Sequence, residues 1–295
     1  MLLALLLPLF LMAALGWALA RPGVIGANWQ AGLNALTARV LVPALLFGGA
    51  FKHGIPAAVS WQVLAAFFLP LTALFLALAY SLRRGSGGPA RALAATYSNT
   101  VFVGIPVLSQ AFGPHSLQYA FPVIAFHGLV AFSLYYLAAP GKGIAASLMN
   151  AIGNPIVASL LLGLACNAAA LSLPAPLASV LAMLSGAALP CALLALGASL
   201  ASLHIVSWPA TVATVLAKLL LLPACVLGMA RCVFELPPPA TAVLVVLAAC
   251  PVGVNAAALV QTDGQDPAQV GSAILLSSLA CIATLPLWIW VLRGL

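Results

Sequence analysis

Ser98-Asn99-Thr100-Val101-Phe102-Val103-Gly104-Ile105-Pro106 lies inside one long apolar run, and Cys250-Pro251-Val252-Gly253-Val254-Asn255 lies inside another. Each sets proline, glycine and an amide side chain where a membrane helix should run without a break. Proline has no backbone donor and its ring clashes with the carbonyl four residues back, so it kinks or breaks a helix. In lipid, the backbone groups freed in this way persist only where they are buried in protein or line a wet cavity. Interrupted apolar segments in matching places of two halves point to a binding site at the interruptions. Asn99 and Asn255 strengthen that reading, because an unpaired amide in an apolar medium is costly.

The rest of the chain supports a bilayer as its solvent. Of 295 residues, 65% are hydrophobic and 4% are charged, where soluble domains carry roughly a quarter charged residues. Ten basic and three acidic residues could not cover the surface of a soluble fold of this length. A spanning helix needs about 20 mostly apolar residues. The sequence predicts an all-α membrane protein with ten transmembrane helices at about 2–20, 31–51, 59–82, 91–111, 117–139, 148–171, 175–200, 208–231, 239–260 and 267–292. The alternating ten-residue segments of a transmembrane barrel are absent. All six tryptophans fall near the predicted ends, as an interfacial aromatic belt requires.

The net charge of +7 reads as membrane topology and attraction to anionic lipid, with no nucleic acid as partner. The six cysteines form no Cys-x-x-Cys pair and read as small membrane hydrophobes. Ala18-Leu19-Ala20 before Arg21 looks like a signal cleavage site, but the preceding residues lack a basic segment, so residues 2–20 are expected to be a true first helix.

The two halves repeat. Pro8 and Pro155, and Pro43 and Pro190, are each 147 residues apart, while Pro70 and Pro223, Ser98 and Pro251, and Pro114 and Pro267 are each 153 apart. A repeat of five spans is odd-numbered, so the second copy enters the membrane from the opposite side. Inverted repeats of this kind recur in secondary transporters. The repeats are expected at 1–139 and 148–295.

Charge inside the spans is sparse and one-sided. Lys218, His127 and Arg39 fall within predicted helices, whereas Glu235, Asp263 and Asp266 fall in loops. Ionisable groups at such depth usually face a cavity or a partner. Arg39 is also placed to snorkel to an interface, and His127 to pack as a neutral ring. A basic interior without carboxylates suits an anionic solute and offers no acidic ligand to sodium or protons. No HExxH, GxSxG or paired catalytic carboxylates occur, so an enzyme is not expected, nor is a metal or cofactor.

The run Ser98 to Pro106 resembles the Asn-Thr-x-x-x-Gly-Ile-Pro signature of the auxin efflux carrier family. Asn154-Pro155, Gly197-Ala198-Ser199-Leu200 and Pro251-Val252-Gly253 are similar to further family segments. The resemblance covers nearly the whole chain. It implies helices four and nine broken and crossing beside the substrate. It also implies an elevator, in which a mobile bundle (59–139 and 208–292) slides against a scaffold (2–51 and 148–200). The family match carries Asn99 over as a contact to a substrate carboxylate. Plant members have Pro in place of Ser98 and a long central loop, where this chain has only Pro140 to Ser147.

The expected site is therefore Ser98, Asn99, Thr100, Pro251, Val252, Gly253, Asn255 and Lys218. The expected function is transport of a small organic anion, and the expected partners are a small carboxylate, the lipid bilayer and a second copy of the chain. A channel, a sodium-coupled symporter of the bile-acid type and a non-transporting sensor stay open as alternatives. The expected place is the plasma (inner) membrane. Arg21, Arg83, Arg84, Arg91 and Lys142 fall on one side and Lys52, Arg231 and Arg293 on the other, which predicts both termini outside. In a cysteine-free background, Ser86→Cys and Gly264→Cys should label from the cytoplasmic side. External labelling of Ser86→Cys would reverse the topology.

Overall fold

Long runs of Leu, Ala, Val and Phe with almost no charge can satisfy their backbone in lipid only as helices or closed barrels. The computed structural model describes residues 2–21, 24, 26–54, 60–83, 87–138, 155–262 and 266–294, and among them the chain is helical. Helix α1 is Leu2–Ala20, α2 Ala27–Leu36, α3 Val42–His53, α4 Trp61–Ser81, α5 Gly88–Thr96, α6 Ile105–Phe112 and α7 Leu117–Ala138. Beyond the stretch 139–154, α8 is Pro155–Ala168, α9 Ala175–Ala201, α10 Trp208–Leu216, α11 Leu222–Gly228, α12 Pro238–Ala249, α13 Asn255–Thr262 and α14 Ala268–Arg293. The expected Pro140–Ser147 connection and Lys142 lie outside the described residues, as do Arg84, Ser86, Asp263 and Gly264.

Among the described residues, six helices are long and apolar enough to cross a membrane: Asn28–Lys52, Trp61–Ser81, Pro114–Ala138, Ala175–Ala201, Trp208–Val233 and Ala268–Arg293. Their ends fall within about three residues of six of the expected spans. Four shorter apolar helices accompany them, at Leu7–Ala20, Thr100–Phe112, Ala158–Ala168 and Pro238–Ala249. Two of these four are short because an interruption bounds them: Thr100–Phe112 begins after the one that follows Thr96, and Pro238–Ala249 ends at its own.

Proline leaves a second mark on this fold. Five-residue π turns at Thr37–Leu41, Thr100–Gly104 and Ala217–Leu221 each lead into a residue followed by proline: Val42-Pro43, Ile105-Pro106 and Leu222-Pro223. In all three, the N–H before the proline reaches back five residues, to Thr37, Thr100 and Ala217. Widening the turn by one residue relieves the ring clash while the helix continues. The carbonyl four residues before Pro223 belongs to Leu219, and the Trp288 indole donates to it at 2.8 Å. Trp288 thus packs inward against α11's approach, whereas Trp29, Trp61, Trp208 and Trp290 are exposed as a lipid interface requires.

The most extensive helix contacts join α1 to α9 and α3 to α8, with α3 also on α9. Glycine makes this closeness possible. A Cβ at Gly16 would lie 2.2 Å from the Leu194 carbonyl oxygen, and one at Gly163 would lie 2.6 Å from the Phe47 carbonyl oxygen. Gly163 follows Gly16 by 147 residues, and Leu194 follows Phe47 by the same 147. Small residues that let backbones approach are a principal means of association in lipid, where burying apolar surface gains little.

A second set of helices packs around α12, with α7, α11 and α14 against it and α4 and α5 against each other. Phe67, Phe75, Leu93, Leu108, Leu219 and Leu222 are fully buried there, while Leu76, Leu279 and Leu287 face outward. The two sets meet in part through Phe121 on α7, whose ring tip would lie 2.4 Å from a Cβ at Gly49 on α3.

A Cβ at Gly197 would lie 1.8 Å from the Ala13 carbonyl oxygen, whereas one at Gly186 on the same helix would meet nothing within 4 Å. Gly197→Ala should therefore lower thermal stability in detergent by about 1–3 kcal/mol, and Gly186→Ala should leave the melting temperature within error.

Candidate functional site

Helix α5 stops at Thr96 because the following backbone is extended, with Tyr97 at φ −85° and ψ 114°. Helix α12 stops at Ala249 in the same way, with Cys250 at φ −59° and ψ 151°. The two extended pieces cross and pair antiparallel at Ser98 and Val252. The Asn99 N–H donates to the Pro251 carbonyl at 2.8 Å, and the Gly253 N–H donates to the Tyr97 carbonyl at 3.0 Å. The remaining donors find side chains. The Ser98 N–H donates to His127 Nε2 at 3.3 Å, and the Val252 N–H donates to Ser277 Oγ at 3.0 Å. Each interrupted helix thus gives its backbone groups to the other or to a neighbouring side chain, as burial demands.

Gly253 is required by the crossing. A Cβ there would lie 2.4 Å from Tyr97 Cε1. The Tyr97 ring lies parallel to the His127 ring, with centroids 4.8 Å apart and an interplanar angle of 6°. Phe132 packs against Tyr97 from a further side, at 4.9 Å. The Asn255 side chain reaches the Tyr97 hydroxyl and closes that edge.

Asn99 divides its amide between structure and site. Its Oδ1 accepts from the Phe102 N–H at 3.2 Å and caps the π turn that begins at Thr100. That bond fixes the amide so that Nδ2 faces away as a donor, and Nδ2 is buried without a protein partner. Ser98 Oγ is buried in the same state. A small cavity of about 40 Å³ lies here, lined by Ser98, Asn99, Thr100, His127, Gly253 and Asn255, with Tyr97, Phe102 and Phe132 as aromatic walls. This volume holds roughly one water or one small polar head group. The helices that begin at Thr100 and Asn255 turn their N-terminal ends to it, which favours negative charge. A larger apolar cavity of about 340 Å³ lies between α1, α9 and α14, and Phe102 borders both.

Of the residues read from sequence, Ser98, Asn99, Thr100, Gly253 and Asn255 line the polar cavity. Pro251 and Val252 build the paired backbone, and Pro251 faces the apolar cavity. Lys218 does not line the polar cavity; its Nζ donates to the Ala248 carbonyl at 2.5 Å. Arg39 is exposed on the Thr37–Leu41 turn. His127 is a wall of the site and a hydrogen-bond acceptor, which sequence position alone did not distinguish from core packing. Tyr97 and Ser277 went unread, since an aromatic and a serine in apolar helices carry no local signal. Among the described residues, no cluster of His, Cys, Asp or Glu could hold a metal ion.

Two interrupted helices cross inside a multi-pass helical membrane protein, around buried donors without a partner among the described residues, an arrangement that fits a transport protein. The profile of the family described as membrane transport protein matches the chain twice, at residues 1–147 and 143–289. The chain belongs to this family, the auxin efflux carrier family that the Asn99 to Pro106 signature resembles. An uncharacterized transporter of Methanothermobacter thermautotrophicus (strain Delta H) is 28% identical over 297 residues, covering 97% of each chain.

Gly253→Ala should push the Tyr97 ring from its seat and lower stability by about 1–3 kcal/mol. Adding Tyr97→Ala should recover part of that loss, read as a positive coupling in a thermal double-mutant cycle. Additive losses would show that the two residues do not constrain each other.

Proposed function

We propose that the chain is a secondary transporter that carries a small organic anion, a mono- or dicarboxylate, across the membrane by alternating access. The observation that carries this reading is the donor set of the crossing. Asn99 Nδ2 and Ser98 Oγ are buried without partners, and two helix N-terminal ends face the same space. A carboxylate oxygen supplies what these groups lack, and hydrogen bonds to an ionised acceptor are the stronger kind. Glu235 and Asp266 lie between helices, so neither places an acid in the described core to repel an anion.

The proposed architecture is ten spans in two inverted repeats, 1–139 and 148–295. The paired family match and the reciprocal contacts of Gly16 with Leu194 and of Gly163 with Phe47 support it. In this reading the glycine-packed helices within 2–51 and 148–200 are a scaffold. The helices within 59–139 and 208–292 move past it as an elevator, carrying the crossing with them. The 40 Å³ cavity receives the carboxylate head, and the body of the solute lies toward the boundary between the two groups.

Purified protein in liposomes should take up radiolabelled small carboxylates with saturation, which separates a carrier from a channel. Uptake of neutral or cationic solutes with no carboxylate uptake would overturn the anion assignment. Asn99→Ser keeps a capping oxygen and removes the amide donor. It should weaken carboxylate affinity about tenfold to a hundredfold with little change in melting temperature. Asn99→Ala should lose both the affinity and about 1 kcal/mol of stability.

A further inference from the structure

Lys218 is fully buried on the Ala217–Leu221 π turn, and its Nζ donates across a helix boundary to the Ala248 carbonyl. Ala248 belongs to the last turn of α12, just before the interruption. In a continuous helix its carbonyl would accept from the Val252 N–H, but that N–H goes to Ser277 Oγ. The preceding carbonyl, Leu247, would accept from residue 251, which is a proline and has no N–H. Helix α12 therefore ends in orphan carbonyls, the negative end of its dipole, where no bulk water reaches. Such an end calls for a cation or a donor.

Lys218 is free to meet that need because its own helix does not require it. The carbonyl released by Pro223 is Leu219's, and Trp288 already donates to it. Neither Glu235 nor Asp266 sits within a helix to compete for the ammonium, and the Asp266 carboxylate instead accepts from the Ala268 N–H. Three residues beyond Ala248, the Pro251 carbonyl receives the Asn99 N–H, and Asn99 carries the free donor of the site. The end of α12 that Lys218 holds is thus the end from which the crossing hangs.

We propose that Lys218 is a positioning residue, a built-in cation that caps α12 and sets the register of the crossing without touching the solute. When the side chain is removed, a small alkylammonium ion occupies the vacated place. The link to solute binding rests on the proposed function; the capping itself does not.

The test uses full-length Lys218→Ala with n-propylammonium chloride, whose three carbons and ammonium replace Cγ to Nζ. Its melting temperature should fall below wild type by several degrees. It should rise again with a saturating dependence on n-propylammonium, and not with 1-propanol or tetramethylammonium. Wild type and Lys218→Arg should not respond to the amine. In liposomes, assayed well below the melting temperature, carboxylate uptake by Lys218→Met should fall about tenfold. Uptake by Lys218→Ala should be restored by n-propylammonium, which simple loss of packing would not allow. Equal rescue by 1-propanol, no response to the amine, or wild-type stability and uptake in Lys218→Met would each overturn the proposal. If Lys218→Ala does not fold, the Lys218→Met and Lys218→Arg pair decides it, since only the cationic variant should keep uptake. Absence of carboxylate uptake by wild type would overturn the proposed function, leaving the melting arm to judge the cap alone.

Discussion

A peptide group buried in lipid has no water to fall back on, and every unmade backbone hydrogen bond costs several kcal/mol. This chain accumulates such groups by placing prolines and glycines in its apolar runs. The π turns before Pro43, Pro106 and Pro223 are one answer, since they move a hydrogen bond back by one residue. The antiparallel pairing of Ser98 with Val252 is another, since two interruptions share their backbone partners. Side chains supply the remainder: Trp288 for Leu219, Ser277 for Val252, His127 for Ser98 and Lys218 for Ala248.

The same accounting separates what the crossing uses for its own backbone from what it leaves unpaired. The Ser98, Asn99, Val252 and Gly253 N–H groups all find acceptors within the protein, and the buried side-chain atoms at the crossing without a protein partner are Asn99 Nδ2 and Ser98 Oγ. Asn99 is committed through Oδ1 to the Phe102 N–H, which fixes the free end of the amide as a donor. The free Asn99 nitrogen can only donate, whereas the Ser98 hydroxyl can donate or accept. The Lys218 ammonium lies on the carbonyl end of α12 and does not line the cavity.

Packing divides along the same chemical lines. In the α1, α3, α8 and α9 group, Gly16, Gly163 and Gly197 let backbones touch, which leaves little freedom to slide. Around α12, bulky side chains such as Phe67, Leu93 and Leu219 fill the interior. Phe121 against Gly49 is one of several contacts between the two groups, alongside those of α7 with α8, α1 with α6 and α1 with α14.

Sequence by itself determined the solvent, the helical class, the approximate ends of the six long helices and the position of both interruptions. These depend on composition and on proline and glycine, whose effects are local. It also singled out Asn99, Ser98 and Asn255, because they lie at the interruptions that proline and glycine mark. Tertiary structure alone decided which groups answer which. Tyr97 meets Gly253, His127 meets Ser98 and Ser277 meets Val252 across long separations that carry no pattern in the chain. Lys218 shows the limit most clearly. Its depth in an apolar helix marked it as functional, but its carbonyl partner lies 30 residues away, on a helix end orphaned by Pro251. A charge in lipid is placed by the partner it finds, and the fold determines which partner is within reach.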